Sequence, residues 1–85
     1  MLVYRRWTIS LSVKGDDNAR LVHGHFPMLT RQQSKITLRL TPERRWSTFS
    51  GEITGADYDD MMHVVYSLHE NVGVFSMAPI TEKGK

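Results

Sequence analysis

The chain is predicted to be an α+β domain. A mostly antiparallel sheet of four to five strands forms one layer, one helix at about residues 55–71 packs on one of its faces, and the order is ββββαβ. Three observations predict this. Residues 3–13 alternate between apolar and polar types over eleven positions, residues 53–73 hold a full set of helix start, stripe and stop signals, and turn-forming clusters cut the remainder into strand-sized pieces.

The first strand follows from the alternation. Val3, Trp7, Ile9, Leu11 and Val13 share one face, and Tyr4, Arg6, Thr8, Ser10 and Ser12 share the other. Arg5 falls in the apolar phase and is expected at the sheet margin, where its head reaches water. Lys14-Gly15-Asp16-Asp17-Asn18 is a turn cluster and predicts a hairpin into a second strand at about 19–26. That segment has no clean phase, and Pro27 ends it because proline donates nothing to a ladder. Residues 27–34 read as a loop. Ser34 to Thr41 alternates again, which predicts a strand with Ile36, Leu38 and Leu40 inward and Lys35, Thr37 and Arg39 outward. Pro42-Glu43-Arg44-Arg45 makes the next turn. Trp46 to Ile53 then reads as a strand with Phe49, Gly51 and Ile53 on one face and Trp46, Thr48, Ser50 and Glu52 on the other. Gly51, beside the helix entry, leaves room for a close approach of backbones.

The helix carries the densest signals. Thr54 is placed as an N-cap with Asp57 three residues on, as in a capping box, and Ile53 and Tyr58 stand at staple spacing around them. Asp57, Asp59 and Asp60 put negative charge at the positive end of the helix dipole. Tyr58, Met61, Met62, Val65, Leu68 and Val72 form the apolar stripe, while Asn71 and Gly73 are residues that commonly end a helix. Val72 to Ala78 is a short apolar run suited to a last strand that Pro79 closes. The domain is expected over residues 1–80, with 81–85 as a frayed tail.

Composition narrows the function classes. With 85 residues there is room for one core, and a chain of this size buries only about 60% of its unfolded surface. The absence of cysteine excludes disulfide staples, thiolate nucleophiles and cysteine-ligated metal sites. The N-terminus is broken by Arg5 and Arg6 and does not read as a signal peptide. No stretch approaches the ~18 apolar residues of a membrane span, so a soluble, cytoplasmic protein with no membrane partner is expected. The net charge of +2 hides a division. Residues 1–46 hold nine Lys or Arg against three acidic residues, giving +6, and residues 47–85 hold two against six, giving −4.

Catalytic patterns are missing. There is no Gly-x-Ser-x-Gly, no Ser or Thr set beside a histidine that would activate it, and no Gly-rich phosphate loop, so no enzyme activity and no cofactor are expected. His23 and His25 would project to one side of a strand, a spacing metal sites use, and are weak ligand candidates beside the plainer reading as surface histidines. The Asp57, Asp59, Asp60 cluster is accounted for by the helix dipole without a cation.

Two surfaces remain as binding candidates. On the helix, Asp59, His63, Tyr66 and Glu70 recur as one stripe, and Tyr66 is an aromatic in the middle of a charged face, a frequent anchor at protein interfaces. On the open sheet face, Tyr4, Arg6, Lys35, Arg39 and Trp46, with Arg44 and Arg45 at the rim, interleave cations and rings as single-stranded nucleic acid requires. Such a face is also what a merely solvated sheet presents. The reading favoured is a small non-catalytic module acting by protein–protein contact, as an adaptor, regulator or inhibitor of a larger complex. In build it is similar to small accessory proteins of phages and mobile elements. The alternative is a nucleic-acid-binding domain using the basic sheet face. Pairing of a sheet edge across a two-fold axis would give a homodimer.

Overall fold

In a computed structural model, which describes residues 6–80, four antiparallel strands form an open sheet with helices. In chain order these are β1 (Arg6–Lys14), α1 (Asp16–His25), β2 (Thr30–Gln32), α2 (Lys35–Leu38, a single turn), β3 (Trp46–Thr54), α3 (Tyr58–Leu68) and β4 (Val72–Pro79). Short 3-10 turns at Gly55–Asp57 and His69–Asn71 flank α3. The strand order is β2-β3-β1-β4. The expectations for Val3, Tyr4, Arg5 and the 81–85 tail lie outside the described residues.

The alternation in β1 does what its period requires. Ile9, Leu11 and Val13 are buried, opposite Gly51, Phe49 and Ser47 of β3 on one side. On the other side Ile9 and Leu11 face Met77 and Phe75 of β4. One extra residue of β4 lies between Val72, opposite Val13, and Phe75, opposite Leu11, which makes a bulge at Gly73-Val74. The opposite face carries Thr8, Ser10, Ser12, Thr48, Ser50 and Glu52, and is polar as an open antiparallel sheet should be.

Two expected strands are helical instead. Residues 19–25 belong to α1 and Phe26 is its C-cap; Ala19, Val22 and Phe26 recur at i, i+3 and i+7 and all three are completely buried in the core. Gly15, at φ 94°, turns the chain from β1 into this helix, and the Asn18 side-chain amide donates to the Lys14 carbonyl at 2.8 Å. Residues 34–41 form α2 and the turns after it. Ser34 caps this turn by accepting from the Thr37 amide at 3.0 Å, which gives the backbone a local alternative to a ladder. Ile36, Leu38 and Leu40, expected to point inward from a strand, are exposed. The order is therefore β-α-β-α-β-α-β rather than ββββαβ, and the core is shared by two helices rather than built on one.

The helical span at 55–71 matches expectation in extent, with different ends. Thr54 Oγ1 donates to the Asp57 carboxylate at 3.1 Å rather than capping a backbone amide, so the entry is a 3-10 turn. The α-helix stops at His69, which holds φ 45° without being glycine, two residues before the expected Asn71. Met61, Val64 and Leu68 are its buried positions, and Val65 is partly buried against the core. The Trp7 and Tyr58 rings meet at 4.6 Å between centroids. Gly51, at φ 145°, is approached by Leu29, whose side chain would lie 3.1 Å from any added Cβ.

Candidate functional site

The 33–45 excursion between β2 and β3 is organised from its base. Asp16, the first residue of α1, accepts from Arg45 at 3.1 Å on one carboxylate oxygen, and from Gln33 at 3.4 Å and Arg31 at 3.5 Å on the other. Arg31 and Gln33 also donate to the buried Ser47 hydroxyl at 3.1 and 3.0 Å. Arg45 donates to the Leu40 carbonyl, and the Asp16 amide donates to the Pro42 carbonyl. The Asp16 side chain is only 18% exposed, so these bonds form in a partly desolvated corner where charge-assisted geometry matters. One carboxylate thus ties both ends of the excursion to the start of α1.

Beyond that base nothing in α2 is buried. Ile36 is 79% exposed and Leu38 50%, with Leu40 and Met28 also exposed. Lys35, Arg39 and Arg44 stand among them and make no ion pair among the described residues. Apolar side chains held in water next to uncommitted cations contribute nothing to the core.

The basic sheet face does not assemble as expected. Lys35 and Arg39 leave the sheet with α2, Arg44 lies in the turn before β3, and Arg45 is drawn to Asp16. Tyr4 lies outside the described residues. Arg6 does stand on the open face, with its guanidinium 3.0 Å from Glu52. Trp46 lies on the same face, half-buried, its ring reaching across β1 to Gly73, where an added Cβ would stand 2.7 Å from it. The indole covers the sheet instead of standing free for stacking. What sequence reasoning missed was the exposure of Ile36, Leu38 and Leu40. The signal was present in the Ser34-x-x-Thr37 capping spacing.

Asp59, His63 and Tyr66 are exposed on α3, Tyr66 by 77%, and Glu70 is exposed in the 3-10 turn that follows. Of the two methionines in the apolar stripe, Met61 is fully buried, whereas Met62 is half-exposed. His23 and His25 are not a strand pair. On α1, residues two apart point about 200° away from each other, and His25 Nδ1 instead lies 3.4 Å from the Asp60 carboxylate, linking α1 to α3. Among the described residues no group of three or more His, Asp or Glu is placed to hold a metal ion. No described helix is long and apolar enough to cross a membrane. Comparison of the chain with protein-family models, curated proteins and solved structures gives no match.

Proposed function

We propose that this protein is a small non-catalytic binding module that acts by protein–protein contact, with the 34–44 excursion as its principal docking element. The observation that carries this reading is Ile36, four-fifths exposed on a turn that packs nothing against the core, with Leu38 and Leu40 beside it. Lys35, Arg39 and Arg44 specify the partner's chemistry: a protein surface with an apolar cleft and an acidic rim. Asp16 keeps the excursion's two ends together, which lowers the entropy lost on docking.

The experiment is affinity capture from a lysate with the native chain and with an Ile36→Asp, Leu40→Asp variant, each with and without nuclease. Both positions are exposed, so stability should change by no more than about 0.5 kcal/mol per site. The expected outcome is a stoichiometric protein that survives nuclease and is lost with the variant; capture indifferent to the variant refutes the reading. The alternative, a nucleic-acid module, draws its support from the same three uncommitted cations. It predicts capture abolished by nuclease and salt-sensitive binding of a short single-stranded oligonucleotide.

A further inference from the structure

The two edges of the sheet are built differently. β2, at one edge, has three residues, and its central residue is Arg31. β4, at the other, has eight residues, Val72-Gly73-Val74-Phe75-Ser76-Met77-Ala78-Pro79, without a single charge. Natural sheets guard their edges with short strands, charges, bulges and prolines. On β4 the guards are confined to the ends, where the bulge lies at Gly73-Val74 and proline at position 79.

The register fixes which backbone groups point away from β1. The Ile80 amide donates to the Arg6 carbonyl at 2.9 Å, so Arg6 and Ile80 form a hydrogen-bonded pair. Alternation then gives Thr8 with Ala78 and Ser10 with Ser76 as hydrogen-bonded pairs, and leaves the amides and carbonyls of Phe75 and Met77 directed outward. Pro79 shares that outward phase, so its missing N–H removes no bond to β1. Side chains along the edge are incompletely covered as well. Phe75 and Met77 are only partly buried although both pack against the core, and Val74 is 56% exposed.

We propose that β4 pairs with β4 of a second copy of this chain, antiparallel about a two-fold axis at Ser76, to make a continuous eight-stranded sheet. In that register Phe75 of each copy faces Met77 of the other, and their outward amides and carbonyls form four hydrogen bonds without using the bulge or Pro79. The same alignment sets the half-buried Phe75 side chain beside the half-buried Met77 of the second copy, and Val74 beside Ala78, so apolar surface left open at the edge is closed. The occupant is a second copy because a two-fold axis brings each residue near its own equivalent, where like charges would repel. β4 has none to repel. This self-association uses a different surface from the 34–44 excursion and stands or falls separately from it.

Because the chain has no cysteine, Ser76→Cys is a clean reporter. A non-hydrogen-bonded antiparallel pair separates Cα atoms by about 4.5 Å, within disulfide reach. Under mild oxidation S76C should become a covalent dimer, while Ser50→Cys, on the same face but in the interior strand β3, should not. Sedimentation should show native chain as a concentration-dependent dimer. Ser76→Lys should weaken that association by roughly tenfold or more, with an unchanged far-UV circular dichroism spectrum. A native chain that stays monomeric across the accessible concentrations, S50C crosslinking as readily as S76C, or S76K dimerising like the native chain would each overturn the proposal.

Discussion

α1 and α2 are two short helical segments of this chain with opposite uses for their apolar residues. α1 and its C-cap residue spend Ala19, Val22 and Phe26 on the core, and each is fully buried. α2 holds Ile36 and Leu38 in water and buries nothing. The difference lies in what each is attached to. α1 follows β1 after a single glycine and lies over the apolar face of β1 and β3, whereas α2 sits inside an excursion fastened at its base by polar bonds to Asp16. Removing water from α1 drives folding. No such gain comes from α2, whose apolar side chains stay in water.

The contrast can be broken most forcefully at Phe26. Phe26→Ala should cost about 3–5 kcal/mol, read from chemical denaturation, because a fully buried aromatic leaves a cavity between α1 and the sheet. A loss below about 1 kcal/mol would mean that α1 is not part of the core. Asp16 links the two regions and should give an intermediate effect. Asp16→Ala leaves Arg31, Gln33 and Arg45 without their shared acceptor and should cost about 1–3 kcal/mol, with faster hydrogen exchange across 40–45. If the excursion kept native exchange rates, Asp16 would not be what fastens it. The smallest global effect belongs to Ser34→Ala. Loss of the cap should weaken the α2 turn by about 0.5–1 kcal/mol, seen as faster exchange at the Thr37 and Leu38 amides, while the midpoint of global unfolding stays unchanged. A matching global loss would show that α2 is coupled to the core.

Legibility in the sequence followed the same division. β1, β3 and the helical span at 55–71 were readable because each bears a period long enough to exclude the alternative, and β4 because it is a short apolar run closed by Pro79. The stripe of Asp59, His63 and Tyr66 was readable for the same reason: positions on one helix keep their relation to one another whatever the helix packs against. The sheet-face candidates failed because they came from separate segments. Once 34–41 turned helical, Lys35 and Arg39 left the face that Arg6 and Trp46 occupy.

The sequence by itself determined a sheet with one apolar face, a helix at 55–71 with an acidic start, and a chain divided into basic and acidic halves. All of these rest on local periodicity and composition. Only the tertiary structure decided that 16–25 is a helix. The spacing of Ala19, Val22 and Phe26 becomes decisive when the apolar face of β1 and β3 lies beneath it to be covered. Only the tertiary structure decided that 34–41 is not a strand. The alternation of Ile36, Leu38 and Leu40 states a preference, but a strand also needs a neighbour for its ladder, and both edges of β3 are taken by β1 and β2. The Ser34 cap wins locally instead, and three apolar side chains are turned outward.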